Sequence, residues 1–312
     1  MRLAFVLCCL LALHTASAQW WPQCWDGRRA IVHLFEWRWG DIADECERYL
    51  QYNGYCGVQV SAPTEHLIVD NEWEQRPWGE RYNPLSYKLY TRSGDEKAFA
   101  DMVKRCNDVG VRIFVDAVLN HMSHWGSGSG VGIGGTKYDA NTKDFPGVPY
   151  TSEHFNSKTS SPSVCTSASG DVEDWNDPVQ ARNCNLLGLL DLNQGHPHVQ
   201  DMMVEYLNRL VSYGVAGFRM DAAKHMWPAD LKKIFDRLDD LPTKWFLKNE
   251  KPFVVQEVYG SDTMPSSDYF GIGRVTEFNY GNALSSSFKV CLIDCNCYIT
   301  GRLYRAKSSR HV

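Results

Sequence analysis

The sequence predicts an α/β fold, a (β/α)8-type TIM barrel of which about six βα units are present. Short apolar runs rich in β-branched and aromatic residues alternate with helical patterns along the chain. The runs are almost continuously apolar, which is typical of parallel strands covered on both faces. Polar or ionisable residues follow nearly every run, at the strand ends that form the mouth of a barrel: Glu36, Ser61, Asp116, Asn120, His121, Asp221, Glu257 and Glu277.

The individual elements follow from these patterns in chain order. Strands are predicted over 30–35, 57–60, 111–119, 215–220, 253–258 and 274–278, and helices over 41–50, 96–109, 197–213 and 228–239. The third of these helices is typical: apolar residues from Val199 to Val211 recur on one face and Gly214 follows it. An open doubly wound sheet is the alternative, but the first strand runs into Phe35-Glu36-Trp37 rather than a glycine-rich phosphate-binding turn.

The segment 121–190 interrupts the alternation. It shows no strong period, and 126–135 is mostly glycine and serine. A structureless loop of this length is uncommon inside a compact domain, so we predict a small inserted domain after the third strand, irregular and partly β. The predicted organisation is a signal peptide over 1–18, a first barrel part over 19–120, the insert over 121–190, a second barrel part over 191–284 and a tail over 285–312.

Composition bounds the function. In 312 residues, apolar content is 44%, charged content is 22% and the net charge is -5, so there is no basic footprint and we expect no nucleic-acid partner. Met1-Arg2, an apolar run and Ala16-Ser17-Ala18 form the three regions of a secretory signal peptide. The apolar run is too short to span a bilayer. We therefore expect a secreted, extracellular protein without a membrane partner.

The cysteines agree with export. Nine of the eleven follow the predicted signal peptide and should meet an oxidising compartment, where pairing is expected. Nine is an odd number, so one thiol remains over. Cys291, Cys295 and Cys297 do not have the spacing of a zinc site. We predict a bond between Cys24 and Cys56.

The stretch Gly217–His225 and the later Glu257 carry the candidate chemistry. Asp221 and Glu257 end consecutive strands, and neighbouring parallel strands lie about 4.8 Å apart. Glycosidases that retain configuration hold two carboxyl groups roughly 5 to 5.5 Å apart, whereas inverting enzymes need roughly 6.5 to 9.5 Å. Arg219 should keep Asp221 ionised as a nucleophile, and the apolar neighbours of Glu257 should raise its pKa for acid/base work. Two carboxylates in unrelated ion pairs are the alternative.

Four stretches resemble the ordered motifs of the animal-type, chloride-dependent α-amylases, in the α-amylase family of glycoside hydrolases. They are Ile31 to Trp37, Val115 to His121, Gly217 to His225 and Gln256-Glu257-Val258, and the similarity runs from about Gln19 to about Phe288. The resemblance implies a secreted, calcium-containing enzyme that cleaves internal α-1,4 links of starch and glycogen with retention, through a covalent glycosyl-enzyme intermediate. Starch, glycogen and malto-oligosaccharides are then the partners, and we expect a monomer.

The resemblance also implies roles for single residues. Asp221 matches the nucleophile and Glu257 the acid/base, while Arg219 matches a chloride ligand. Calcium ligands match Asn120, the backbone of Arg182, Asp191 and the backbone of His225, all oxygen donors. Residues lining the sugar cleft match Trp78, Tyr82, His121, Lys224 and His225; the two aromatic residues could equally be rim packing, and the histidines core residues. Family disulfides match Cys46 with Cys106 and Cys165 with Cys184.

Past Phe288 the sequence departs from the family pattern. The family continues with two strands, a His-Asp motif that supplies a third catalytic carboxylate, two further chloride ligands and a C-terminal β domain. After Glu257 the aspartates are Asp262, Asp268 and Asp294 and the histidine is His311, so no His-Asp pair exists. We therefore expect this chain to release little or no sugar from starch. A catalytically silent glucan-binding fragment and a transglycosylase using the same carboxylate pair remain alternatives.

Overall fold

The structure, a computed structural model, describes residues 20–70, 75–160 and 164–294. The predicted signal peptide, Cys295 and Cys297 lie outside the described residues. The chain divides into two compact units, one up to Thr276 and one from Glu277, and each is described by itself.

The first unit is built on a six-stranded sheet. Within the described residues the strands are β1 (Ala30–Leu34), β2 (Tyr55–Val60), β3 (Tyr90–Thr91), β4 (Gly94–Asp95), β5 (Arg112–Ala117), β6 (His121–His124), β7 (Ser129–Val131), β8 (Lys137–Asp139), β9 (Leu189–Asp191), β10 (Gly217–Met220), β11 (Phe253–Gln256) and β12 (Arg274–Val275). The large sheet has the order β1-β2-β5-β10-β11-β12, and every pairing in it is parallel. This curled half-barrel is a partial TIM barrel, and its strands are the six predicted from sequence.

The observed strands are mostly shorter than the predicted ones. The strand predicted over 111–119 ends at Ala117, and the one predicted over 274–278 ends at Val275. The first prediction ran on into the apolar residues Val118 and Leu119, and the second into Thr276, Glu277 and Phe278. The buried run continues through Val118 and Leu119 because these side chains fill the core even where the backbone has left the ladder.

Helices cover the sheet, as the alternation predicted. They are α1 (Trp39–Arg48), α2 (Glu96–Asp108), α3 (Pro178–Asn183), α4 (Pro197–Tyr213) and α5 (Pro228–Phe235). Local signals explain their ends: the Asp95 side chain accepts from the Ala98 amide at 2.9 Å, and Gly214 ends α4 in the left-handed region with φ 102°. The four predicted helices are present, although α5 stops at Phe235 instead of 239.

One continuous core lies between these helices and the sheet, with Ile42, Phe99 and Leu210 completely buried. The structure forms all three predicted disulfides: Cys24–Cys56, Cys46–Cys106 and Cys165–Cys184. The first two attach the N-terminal segment to β2 and join α1 to α2. They thereby constrain the first half of the sheet.

The segment predicted as an insert contains the antiparallel pairs β6–β9 and β7–β8. Its aromatic residues Phe145, Tyr150 and Phe155 are buried in the same core cluster as the barrel strands. A second, small cluster surrounds the Cys165–Cys184 bond. The described part of 121–190 therefore belongs to the compact unit of the half-barrel, and its standing as a domain, like the other boundaries, stays a prediction.

The second unit contains α6 (Phe278–Asp294). The sequence from Asn282 onward showed no period, and the side chains from Glu277 to Phe288 are indeed exposed all round. A helix without a buried face leaves no periodic signal. No helix in the described ranges is long and apolar enough to cross a membrane.

Candidate active site

Two predicted site residues stand side by side where β10 and β11 end. The strand ends are in register, with Ala117 of β5 and Gln256 of β11 both opposite Met220 of β10. The next residues continue the ladder: the Asp221 amide donates to the Ala117 carbonyl at 3.1 Å, and the Glu257 amide donates to the Met220 carbonyl at 2.9 Å. Strand pairing alone therefore places both carboxylates at the same height along their strands, at one edge of the sheet.

One guanidinium joins the two carboxylates to a third. Arg219 contacts the Oδ1 atoms of Asp116 and Asp221 through Nη1, the latter at 2.8 Å, and Oε1 of Glu257 through Nη2 at 2.7 Å. Exposure differs within this group, since the side chain of Asp116 is 0% exposed, that of Asp221 10% and that of Glu257 30%. Glu257 is the member that a bound molecule could reach most easily.

The electrostatics of the group follow from one cation shared among three anions. Burial raises the pKa of Asp116 and, helped by the charges of Asp116 and Glu257, raises the pKa of Asp221 to about 8. Arg219 lowers the pKa of Asp221, as the sequence predicted, but burial outweighs this effect. The prediction that Arg219 keeps Asp221 ionised is therefore not supported, because burial and the two neighbouring carboxylates raise the pKa of Asp221 against the effect of Arg219.

The Glu257 side chain is held from two directions. Its Oε1 faces Arg219, and its Oε2 accepts a hydrogen bond from the Ala222 amide at 2.9 Å. Ala222 has φ 50°, a left-handed conformation uncommon for alanine, which turns its amide toward the carboxylate. Sequence reasoning missed this donor because no residue pattern reports a positive φ at an alanine.

An aromatic rim adjoins the carboxylates. Trp78 and Tyr82 lie on one short 3-10 helix, Trp78–Tyr82, with ring centroids 5.7 Å apart and rings nearly perpendicular. Trp78 is 61% exposed. The Tyr82 hydroxyl donates to Oδ2 of Asp116 at 2.8 Å, so the rim is fastened to the carboxylate group itself. The two aromatic residues are thus brought to the predicted cleft, with a flat exposed face on Trp78.

The other predicted cleft residues are less accessible. His121 is buried, with Nε2 3.0 Å from the Tyr82 carbonyl, and burial lowers its pKa to about 4. His225 is also buried, with Nδ1 2.7 Å from the Ala181 carbonyl. Lys224 is half-buried and its amide donates to the Glu257 carbonyl at 3.2 Å. One nitrogen of each imidazole thus contacts a backbone carbonyl, whereas Lys224 is linked to the acid/base candidate through its backbone.

The predicted calcium ligands come from four parts of the chain, which the structure brings together in two pairs. The amide of Leu192, the residue after Asp191, donates to the Asn120 carbonyl at 3.0 Å, and the His225 ring contacts the residue before Arg182. The Oδ1 atoms of Asn120 and Asp191 are buried without a hydrogen-bond partner. Unpaired buried oxygens of this kind fit a hard cation such as Ca²⁺. Within residues 20–70, 75–160 and 164–294 there is no group of three His, Cys, Asp or Glu side chains that could hold a metal ion, and the calcium ligands stay a prediction.

The residues around Arg219 do not fit the predicted chloride ion. Arg219 is the predicted ligand, and its two Nη atoms are already taken by Asp116, Asp221 and Glu257. A chloride ion placed there would face three carboxylates. The residues present do not fit this ion, so no step is derived through chloride.

Asp116 is the site residue whose role the sequence did not show. It was visible only as one of several polar residues at strand ends. In the structure it is opposite Arg219 in the β5–β10 register and joins the rim to the carboxylates. Asp116 could have been recognised as a site residue because it is a charged residue within a fully buried strand, where a charge requires a partner.

A parallel half-barrel with a carboxylate pair at its strand ends defines a barrel-type catalytic domain. The profile "Alpha amylase, catalytic domain" matches residues 81–269. This chain belongs to the α-amylase family. It is 53% identical over 274 residues to pancreatic α-amylase of Sus scrofa, an alignment that covers 86% of this chain and 52% of that protein. Such relatives are named α-amylases, which are glycoside hydrolases.

Solved structures agree with the sequence match. α-Amylase I from Eisenia fetida matches with a TM-score of 0.80 and 45% identity, covering 85% of this chain and 52% of that one. A mutant of the same enzyme in complex with maltohexaose matches with a TM-score of 0.80 and 44% identity over 86% of this chain and 52% of that one. The chain thus spans about half the length of the curated relatives it matches.

Proposed function

We propose that this chain carries the carboxylate pair of a secreted, retaining α-amylase, which hydrolyses internal α-1,4-glucosidic links of starch and glycogen. The observation that carries the proposal is the meeting of Asp221 and Glu257 on the Arg219 guanidinium at the carboxyl ends of neighbouring strands. Family membership supports the reaction class, and three disulfides are consistent with an exported protein.

The two carboxylates take different roles because their surroundings differ. Asp221 attacks the anomeric carbon, while Glu257 gives its proton to the departing glycosidic oxygen, so that the C–O bond breaks and a glycosyl ester forms. Glu257 then removes a proton from water, which attacks the same carbon and releases Asp221. Two displacements at one carbon retain its configuration. The more exposed Glu257 suits proton exchange with substrate and water, and the more buried Asp221 suits the covalent bond.

Asp221 must lose its proton before it can attack. Burial raises its pKa, and a sugar that develops positive charge at the anomeric carbon favours the ionised form. Arg219 remains in contact with the carboxylate throughout and fixes its orientation. The Trp78 face, fastened through Tyr82 to Asp116, offers a flat apolar surface on which a glucose ring can stack. Maltohexaose in the Eisenia fetida complex is a ligand of this kind.

Calcium belongs to the proposal as a structural ion. The residues that would hold it are Asn120 and Asp191 through side-chain oxygens and Arg182 and His225 through backbone oxygens. When bound, the ion would supply positive charge to buried oxygens and would tie the segment after β5 to α3 and to the turn after Asp221. His225 lies four residues beyond Asp221, so this tether also steadies the loop behind the carboxylates.

A specific observation favours a second candidate function, glucan binding without turnover. Burial and the charges of Asp116 and Glu257 raise the pKa of Asp221, which favours the protonated acid, and a protonated carboxyl is a poor nucleophile. The aromatic rim would still bind sugar. The two candidates differ in turnover and agree in binding.

The test uses the purified full chain with calcium and soluble starch. For the hydrolase we expect reducing-sugar release that falls by about 10² to 10⁴ in Glu257→Gln, because acid/base assistance is lost, and at least as far in Asp221→Asn. A fluorinated glucoside should add the mass of one glycosyl group to a peptide containing Asp221. Starch binding by all variants with turnover by none would favour the second candidate, whereas undiminished turnover in Asp221→Asn would exclude the proposed nucleophile.

A further inference from the structure

Three buried oxygen atoms without a hydrogen-bond partner belong to side chains that lie together beside β9. They are the Oδ1 atoms of Asn120, Asn156 and Asp191, whose residues are 0%, 4% and 1% exposed. The Asn156 amide Nδ2 donates to Oδ2 of Asp191 at 2.7 Å, and its backbone amide donates to the Asp191 carbonyl at 2.9 Å. Asn120 is joined to the same strand end, because its backbone carbonyl accepts from the amide of Leu192, the residue after Asp191, at 3.0 Å.

Such a grouping is unfavourable unless something positive joins it. A single buried acceptor left unpaired costs about 1–3 kcal/mol, and here three acceptors belong to residues in contact. Lys143 approaches, but its ammonium lies 3.3 Å from the backbone carbonyl of Asn156 and forms no hydrogen bond to the three oxygens. Amide and carboxylate oxygens that lack donors are the ligand type that Ca²⁺ takes, in sets of about 6–8.

We propose that Asn156 is a further calcium ligand of this chain, through its amide oxygen Oδ1. The inference rests on the proposed calcium site, whose four residues leave coordination positions open. Asn156 lies on the segment that follows β8, so it attaches a fifth stretch of chain to the ion. Its Nδ2 contact with Asp191 sets the amide beside the carboxylate, with the remaining oxygen free of any hydrogen bond.

A purely structural role is the competing explanation. Asn156 Nδ2 also reaches the Leu192 carbonyl at 3.2 Å, and these bonds hold the segment whether or not an ion is present. A structural residue stabilises the calcium-free and the calcium-loaded protein equally. A ligand changes calcium affinity, so the two roles separate when calcium binding and unfolding are measured together.

The experiment compares the full-length wild type with Asn156→Ala and Asn156→Asp. Calcium affinity is measured by titrating chelator-stripped protein, and melting temperatures are measured in chelator and in saturating calcium. Loss of a residue that only orients a metal ligand weakens metal binding about 10–100-fold, so for a direct ligand we expect Asn156→Ala to weaken calcium binding by more than about 100-fold. Asn156→Asp keeps an oxygen but sets a second carboxylate against Asp191. It should therefore melt below the wild type in chelator and regain that loss in calcium.

Asn107→Ala is the matched control. Asn107 is equally buried, but its amide is satisfied on both sides, by the Gly214 carbonyl at 2.8 Å and by Arg112 at 2.9 Å. This variant should lower both melting temperatures alike and leave calcium affinity unchanged. If Asn156→Ala behaves as Asn107→Ala does, the inference is wrong and the calcium site stands. Should Asn156→Ala not fold, an Asn156→Asp protein that calcium does not rescue overturns the inference. A wild type that binds no calcium overturns both.

Discussion

Two buried ionic groups lie near each other in the first unit and differ in how well their charges balance. The arginine-rich cluster consists of three arginines and two glutamates, namely Arg76, Arg81, Arg92, Glu36 and Glu80. The carboxylate cluster consists of one arginine and three acids, namely Arg219, Asp116, Asp221 and Glu257. The 3-10 helix that bears Trp78 and Tyr82 connects them.

The arginine-rich cluster supplies each of its carboxylates with an arginine, although Oε1 of Glu36 is buried without a hydrogen-bond partner. Glu80 is completely buried, yet it accepts from Arg76 Nε at 2.9 Å, from Arg76 Nη2 at 2.8 Å and from the Val69 amide at 3.1 Å. Arg81, the next residue, donates to Ser93 Oγ and to the Ala62 carbonyl, both at 2.6 Å. These bonds fasten the aromatic rim to the loops around it.

The carboxylate cluster has one cation for its three acids, and burial, together with the repulsion between the carboxylates, raises the pKa values of Asp116 and Asp221. Strongly perturbed acids at the open end of a barrel are typical of catalytic groups. The comparison indicates that the arginine-rich cluster, whose carboxylates are each paired with an arginine, holds the aromatic rim in place. The carboxylate cluster, which has too few cations, is retained for chemistry at a cost in stability. Three predictions test it.

The largest effect on stability should come from removing a carboxylate from the arginine-rich cluster. Glu80→Ala leaves Arg76, Arg92 and the Val69 amide without their buried partner. Removing one member of a buried ion pair costs about 3–5 kcal/mol, and we expect the lower end because the Arg76 side chain is 37% exposed. Urea unfolding should show this loss. In the control, Glu47→Ala breaks an exposed contact with Arg105 and should cost at most about 1 kcal/mol. Equal losses in the two variants would remove the distinction between the clusters.

A smaller effect concerns His66, which lies 3.9 Å from Glu80. Its Nδ1 is 2.7 Å from the Leu67 carbonyl, its Nε2 is buried without a partner, and burial lowers its pKa to about 4. Because the unfolded histidine titrates near 6.5, the stability contributed by neutral His66 is present above pH 6.5 and is lost as pH falls toward 4. At about 1.4 kcal/mol per pKa unit, this loss reaches about 3 kcal/mol.

The measurement is the free energy of unfolding between pH 7.5 and pH 4 for the wild type and for His66→Asn, which cannot titrate. The variant should be less stable at pH 7.5 and show a shallower decline toward acid. If the free energy of unfolding of the two proteins declined in parallel toward acid pH, protonation of His66 would not destabilise the folded protein.

The smallest effect has the opposite sign. Asp221 has a raised pKa in the folded protein, so the folded state binds the proton more tightly than the unfolded state does. Its stabilising contribution is present below pH 4 and is lost as pH rises toward 8. Asp221→Asn mimics the protonated acid, but its amide also gives up the ionic contact with Arg219, which offsets most of the gain. The variant should therefore melt about 2 °C or more above the wild type at pH 8, a net change of about 1 kcal/mol. The gain in melting temperature should vanish at pH 4. A variant less stable than the wild type at pH 8 would contradict the view that the carboxylate cluster has too few cations.

Much of the fold and site could be predicted from the sequence because the relevant signals are local. The six parallel strands, four of the helices and the Asp221–Glu257 pair came from apolar periods, end signals and strand order. Elements with weak local signals were not predicted: the α6 side chains described up to Phe288 form no buried face, and nothing in the sequence indicates the positive φ of Ala222. The calcium and cleft roles came through the family resemblance and stay predictions.

By itself the sequence determined which residues stand at strand ends, since alternating apolar runs dictate a parallel sheet and a parallel sheet collects its carboxyl ends on one side. Only the tertiary structure decided how the charges there are shared. Asp116 and Arg219 are 103 residues apart along the chain, and their contact depends on the register of β5 against β10. Burial then sets the pKa of Asp221 against the pull of Arg219, because the free energy of a buried charge depends on all its neighbours in space and on the water it has lost.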